Sequence, residues 1–392
     1  MKPNPYFPGA GSAPAYIAGR DEDISRATDD LAAINCGFPA RSVMYYGLRG
    51  VGKTVLLNKI EQMAQEKGIL EDYIEIAERS KVSFQASLAL SVFKFMQQLS
   101  TKEHVKQYIE KALGILKSFS VKYSSGDFAA EIAVDSVQGI ANTGNVANDM
   151  TELLLTLGSL AKTSQKGIVL FIDEIQYMKD DDLEGIIRAL HRLNQKGYPI
   201  IIYAAGLPKI AKIVGDIKSY AERIFDFVKI DSLDVAAAKL ALTKPAEKMQ
   251  VSYTDEAVAE IIRLTEGYPY FLQEYGKWVW YYRDDAEIID LAIVKKAYTA
   301  FERKLDEGFF KVRYDRATGK ELEFMYAMVK SGQLPCTMRK VANIMQSNQQ
   351  KISGLRAQLI HKGFIYQANY GEVDFTVPQF DKYLKRMAGS QL

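Results

Sequence analysis

Apolar and polar positions follow two different rhythms along this chain. Up to about residue 231, short apolar runs of strand length alternate with stretches of helical period. Val43–Tyr46 reads as a buried strand, and Leu56, Leu57 and Ile60 open a helical pattern behind it. Asp72–Ile76 alternates like a second strand. Phe84, Leu88, Val92 and Phe95 share one helical face, and Val105, Tyr108, Ile109 and Ala112 another. Ser118–Asn148, rich in Ser, Gly and Asn, reads as containing a loop. Ile168–Ile172 is five consecutive apolar residues, the signature of a strand buried on both faces of a parallel sheet. A helix at Leu183–Asn194, a strand at Ile200–Gly206 and a short strand at Val228–Ile230 complete the region. Strands alternating with helices predict a doubly wound, parallel α/β layer.

From Ser232 the period becomes purely helical, which predicts a small bundle to about residue 300 with Gly267-Tyr268-Pro269-Tyr270 separating two helices. The last stretch reads as helices at Glu321–Lys330, Met338–Gln346 and Ser347–His361, then strands at Phe364–Gln367 and Val373–Thr376 around Asn369-Tyr370-Gly371. Three helices followed by a hairpin is the order of a winged helix-turn-helix. The expected organisation is an extended arm over 1–16, a core over 17–231 with a helical insertion at about 80–166, a helical unit over 232–300 and a winged helix over 301–392.

Composition changes this picture little. A hydrophobic fraction of 48% and a charged fraction of 25% describe an ordinary globular protein, and 392 residues exceed one core. No apolar run approaches a membrane span, and Cys36 and Cys336 supply neither a disulfide framework nor a metal cluster. A reduced, cytoplasmic setting without a membrane partner is the expectation. The scattered His104, His191 and His361 suggest no histidine-centred site. Charge is uneven. Residues 301–392 hold 15 Lys and Arg against 9 Asp and Glu, an excess of six positive charges in a chain of net +2. A basic tail on a mildly acidic body points toward nucleic acid.

The most specific chemistry lies at Gly47-Leu48-Arg49-Gly50-Val51-Gly52-Lys53-Thr54, which satisfies G-x-x-x-x-G-K-[ST] between a strand and a helix. Its glycines let backbone N–H groups turn inward toward phosphate oxygens, and the helix that follows, from Val55, adds its positive end. Lys53 is expected to reach the β- and γ-phosphates and Thr54 to hold Mg²⁺, so the cofactors are ATP and Mg²⁺. Asp173 and Glu174 close the strand 168–172, at the sheet edge where ligands bind in open α/β folds. Asp173 is expected to hold Mg²⁺, directly or through water, and Glu174 to act as general base on the attacking water. Gln176 either touches that water or caps. Gly19-Arg20 reads as a turn with a solvated Arg, and Arg223 as a paired or solvated residue. If the helix from Ser347 enters a major groove, Asn348, Gln349, Gln350, Lys351 and Arg356 are the side chains that reach bases or phosphates.

Together these motifs resemble the AAA+ superfamily, in particular its origin-initiator-like and STAND-type ATPases. The resemblance implies an ATPase core, a helical lid and a winged helix. It implies that Gly19 and Arg20 pack near the adenine, that Tyr268 and Pro269 line the base pocket, and that Arg223 contacts a γ-phosphate in its own or a neighbouring subunit. Two departures stand out. Ile200–Gly206 ends in Ala-Ala-Gly where the family often has a polar sensor, and the spacing between Thr54 and Asp173 is long. The leading expectation is a slow ATP-hydrolysing switch that binds DNA and self-associates according to its ATP or ADP state. The alternative is a STAND-like signalling or defence ATPase whose winged helix docks a protein. A loader or target selector for a replicative or mobile-element machine is a variant of the first.

Overall fold

The computed structural model describes residues 2–9, 11–77, 82–99, 106–123, 141–217 and 221–389, with side chains except at 106–109, 111 and 121–123. Val105, the side chains of Tyr108 and Ile109, most of the Ser118–Asn148 loop expectation, and Ser219-Tyr220 lie outside these. The chain divides into two compact units. One comprises Arg20–Gly47 and Lys53–Ile230; the other comprises the residues through Gly19, Leu48–Gly52 and everything from Asp231 onward.

The first unit is built on five parallel strands: β1 (Ser42–Tyr46), β2 (Leu70–Glu75), β3 (Ile168–Asp173), β4 (Ile200–Gly206) and β5 (Phe225–Lys229). Their order is β2-β3-β4-β1-β5. This is the doubly wound α/β fold expected from the alternating pattern. β3 and β4 are buried along their whole length, which is why they read as continuous apolar runs. Ile168, Leu170 and Ile172 face a core shared with the helices Phe84–Leu99, Val146–Ser164 and Asp180–Lys196. On the sheet, Tyr73, Phe171, Tyr203 and Tyr45 stack in sequence across β2, β3, β4 and β1, with ring centroids 5.9–6.2 Å apart. Cross-strand aromatic pairs of this kind fix register, because a one-residue slip would turn every ring to the other face.

In the second unit, helices Val235–Glu247, Asp255–Thr265, Pro269–Tyr282 and Leu291–Lys304 pack with a two-stranded parallel sheet, β6 (Ser252–Tyr253) and β7 (Ile288–Ile289). A π-helical turn, Leu305–Phe310, leads to Lys311–Tyr314 and then to Gly319–Lys330, Met338–Ile344 and Gln349–His361. β8 (Cys336–Thr337), β9 (Ile365–Gln367) and β10 (Glu372–Phe375) form an antiparallel sheet in the order β8-β10-β9. A last helix, Phe380–Ala388, follows. β6, β7 and β8 are too short to leave a periodic signal, whereas the last helix carries Phe380, Tyr383, Leu384 and Met387 at helical spacing, a pattern the sequence expectations left out. The N-terminal segment is fastened rather than loose. Tyr6 is buried, its hydroxyl lies 2.6 Å from the Leu242 carbonyl and 2.8 Å from the Tyr253 hydroxyl, and Gly276 leaves room for its ring. Among the described residues no helix is long and apolar enough to cross a membrane.

Candidate active site

Loop geometry follows from the glycines. Gly50 (φ +80°) and Gly52 (φ +98°) adopt backbone conformations that strain any L side chain. Gly47 leaves β1 with its N–H donating to the Gly206 carbonyl at 3.2 Å. Lys53 Nζ donates to the Gly47 carbonyl at 3.0 Å, which folds the ammonium back onto the loop.

β1 and β3 are not neighbours. β4 separates them, which places the ends of the two strands about 10 Å apart at about 4.8 Å per strand. The gap is closed by side chains over the small end of β4, Ala204-Ala205-Gly206. Thr54 Oγ1 donates to Asp173 Oδ2 at 2.7 Å. The Tyr73 hydroxyl donates to the same oxygen at 2.9 Å, and the Glu174 N–H donates to Asp173 Oδ1 at 2.7 Å. Asp173 is buried, and three donors fix both of its oxygens. Burial, then the adjoining Asp173 charge, pushes the Tyr73 phenol far above its ordinary range, so it stays a donor. The sequence reading had no signal for Tyr73 beyond its place on an alternating strand.

Glu174 lies at φ +53°, in the left-handed region that a residue with a β-carbon enters at a cost of about 1–3 kcal/mol. Such outliers concentrate at functional sites. Gln176 is buried; its Nε2 donates to Glu174 Oε2 and its Oε1 accepts from the Leu207 N–H at 2.9 Å. Gln176 thus ties the base candidate to the end of β4.

Thr54 Oγ1 and Asp173 Oδ2 are two hard oxygen donors side by side. That set fits Mg²⁺, which takes one or two protein oxygens and completes its shell with phosphate oxygens and water. Among the described residues no group of three or more His, Cys, Asp or Glu could hold a metal.

Arg223 is exposed on the short helix Ala221–Ile224, two residues before Phe225, which pairs with Ser42. It therefore stands at the amino edge of the sheet, while the loop begins at the carboxyl edge beyond Tyr46, roughly 13 Å away at about 3.3 Å per residue. Arg20 caps the helix Asp21–Asn35.

Within the second unit, Gly19 (φ +62°) abuts Leu233 and Ala237. Tyr268 caps the Pro269–Tyr282 helix, with Pro269 in its first turn. Tyr268 is fully buried, its hydroxyl has no hydrogen-bond partner, and a β-carbon on Gly50 would lie 2.6 Å from it. Arg313, stacked 4.2 Å from the Phe309 ring centroid, was not anticipated. Burial, and then the charge of Arg49, holds its guanidinium at about 10.

Of the five residues expected on the C-terminal helix, two are already engaged. Asn348 Oδ1 accepts from the Lys351 N–H at 2.9 Å as the helix cap, and Arg356 donates to Gln367 Oε1 at 2.8 Å. Gln349, Gln350 and Lys351 are exposed.

A phosphate loop after the first strand of a parallel sheet, opposite a carboxylate pair two strands away, defines a P-loop ATPase. The comparisons agree. Residues 16–203 match the family model for the AAA ATPase domain, and residues 307–384 match one for a domain of unknown function, DUF8462. No curated protein matches the sequence. The Walker-type ATPase Paby2304 of Pyrococcus abyssi shares the fold at 13% identity, with 94% of this chain and 96% of that one covered and a TM-score of 0.57. The Aeropyrum pernix Orc1 protein in complex with DNA aligns at 14% identity over 95% and 94% of the chains, with a TM-score of 0.47. The RuvB Holliday junction branch migration motor of Thermotoga maritima aligns at 15% over 94% and 95%, with a TM-score of 0.44. Residues 16–203 match an AAA ATPase domain carried on a P-loop α/β fold, and ATP hydrolysis is the activity this domain supports.

Proposed function

We infer that the chain is an ATP-driven switch that acts on DNA, with a helical lid at 232–300 and a winged helix at 301–392. The observation that carries the ATPase half is the Thr54–Asp173 contact of 2.7 Å with Glu174 next in the chain. Loop N–H groups and Lys53 bind the phosphates, and Thr54 and Asp173 hold Mg²⁺. Bound there, Mg²⁺ supplies charge neutralisation for the transferred phosphoryl group. Glu174 takes the proton of the attacking water, with the Asp173 carboxylate held in place by its three donors. Arg223, remote from its own loop, serves a neighbouring copy, which makes turnover dependent on self-association.

The DNA half rests on Gln349, Gln350 and Lys351, exposed in the first turn of the Gln349–His361 helix, where helix-turn-helix proteins contact base edges. The positive excess of residues 301–392 adds to it. A second reading, a protein-docking module, is supported by a groove lined by Tyr314, Tyr326, Ile344 and Met387, the last two exposed apolar side chains. Fluorescence anisotropy of labelled duplex with the full chain, across a salt series in ATP analogue and in ADP, decides between them. DNA recognition gives affinity that falls steeply with salt and differs between nucleotides. No binding at low salt in either nucleotide removes the DNA half and leaves the docking module.

A further inference from the structure

Two features of the first unit remain unexplained by the ATPase reading: a buried glutamine with both ends of its amide engaged, and a β4 that ends without a polar side chain. They are parts of one arrangement. Gly206 C=O and Leu207 N–H belong to the same peptide group. Its oxygen accepts from the Gly47 N–H, the first residue of the phosphate loop, at 3.2 Å. Its N–H donates to Gln176 Oε1 at 2.9 Å. A backbone N–H can only donate, so this contact fixes the amide orientation and turns Nε2 toward Glu174. Nε2 then donates to Glu174 Oε2. An unbroken run of hydrogen bonds thus joins the loop that grips the phosphates to the carboxylate that works on the water. Members of such a run polarise one another, and each is held in place by the next.

Space has been made for it. A β-carbon on Gly206 would stand 3.0 Å from Gln176 Oε1 and 2.9 Å from Ile175 Cγ2, so any larger residue there displaces the amide. Gly206 has no positive φ, and its lack of a side chain therefore serves packing rather than backbone freedom. Glu174 has only one of its carboxylate oxygens committed to Gln176, which leaves Oε1 as the oxygen to face water. Its left-handed backbone and the following turn Ile175–Tyr177 bring Gln176 back alongside it two residues later.

We propose that Gln176 is the positioning residue of this ATPase: it holds Glu174 by one oxygen and, through the Gly206–Leu207 peptide, couples the base to the phosphate loop. This rests on Glu174 being the base, and the test separates the two claims. Phosphate release and fluorescent-nucleotide binding are measured for wild type, Gln176→Leu, Gln176→Glu, Gly206→Ala, Glu174→Gln and the double variant Glu174→Gln/Gln176→Leu. Gln176→Glu keeps length and the acceptor for Leu207 and, assayed at alkaline pH so that it is ionised, cannot donate to Glu174, so it covers the case in which Gln176→Leu folds poorly. The expected result is a kcat at least tenfold lower for Gln176→Leu, Gln176→Glu and Gly206→Ala, with KM and nucleotide affinity within twofold of wild type. The double variant is no slower than Glu174→Gln alone, because a residue that acts through the base has nothing left to act on. A wild-type kcat in Gln176→Glu, or a further tenfold loss in the double variant, overturns the positioning role while leaving Glu174 in place. Wild-type turnover in Glu174→Gln removes the base itself, a different failure.

Discussion

Gly50 and Tyr268 belong to the same compact unit and offer a quantitative test of the loop's packing. An alanine at 50 inherits φ +80°, which costs about 1–2 kcal/mol for a residue with a β-carbon. Its new carbon would also lie 2.6 Å from the Tyr268 hydroxyl oxygen, an overlap that adds about 1–3 kcal/mol. Gly50→Ala is therefore expected to lower stability by about 2–5 kcal/mol. Tyr268→Phe deletes the clashing atom, and the next nearest ring atoms, at 3.1 and 3.3 Å, ask for shifts of only tenths of an ångström. In that background Gly50→Ala falls back to the backbone term of about 1–2 kcal/mol. The coupling between the two sites is then about 1–3 kcal/mol, well above what non-contacting residues show. Tyr268→Phe alone is expected to raise stability by about 1 kcal/mol, since its buried hydroxyl has no hydrogen-bond partner to lose. The assay is urea denaturation followed by tryptophan fluorescence. Both tryptophans, Trp278 and Trp280, sit on the Pro269–Tyr282 helix that Tyr268 caps. Equal cost of Gly50→Ala in both backgrounds, or a destabilising Tyr268→Phe, would refute the reasoning.

Two further outcomes follow from the first unit. Burial raises Asp182 from the ordinary 3.8 to about 6, against a smaller opposing pull from Lys179. Between about pH 4 and 6 the folded state keeps a proton that the unfolded state releases, so stability falls as pH rises through that window. Asp182→Asn, which can still accept from Gln85, is expected to stabilise by about 1–3 kcal/mol at pH 7.5 and by little at pH 4, read by denaturation at both pH values. An equal effect at the two pH values contradicts it. Arg223→Ala is expected to abolish most turnover without weakening nucleotide binding, and mixing it with Glu174→Gln protein restores turnover, because one partner supplies the base and the other the arginine. Failure of the mixture to recover activity, with Arg223→Ala inactive alone, contradicts action on a neighbour.

Local spacing made much of the molecule legible. The alternation of Val43–Tyr46, Ile168–Ile172 and Ile200–Gly206 with helical stretches yields the parallel sheet because a strand buried on both faces has no polar face to hide it. The loop reads directly because its glycines encode backbone shape. What escaped is non-local. Tyr73 and Asp173 are 100 residues apart and meet only because β2 pairs with β3 in one register. Arg223 could not be placed from composition, since its distance from the loop depends on Phe225 pairing with Ser42. That the extended arm over 1–16 is fastened at Tyr6 was not legible, because its partners, Leu242 and Tyr253, are more than 230 residues away. The aromatic packing of Phe310 on Tyr383, at 5.3 Å between ring centroids, is likewise a non-local contact, on a C-terminal helix whose own Phe380-Tyr383-Leu384 spacing was legible.

The claim on which the account turns is that one Mg²⁺-bound triphosphate is gripped by the loop and attacked with help from Glu174. Its most direct measurement is the identity of the nucleotide retained by Glu174→Gln protein after incubation with ATP and Mg²⁺. The account predicts retained ATP and phosphate release at least a hundredfold below wild type. Recovery of ADP with phosphate release at the wild-type rate would contradict it.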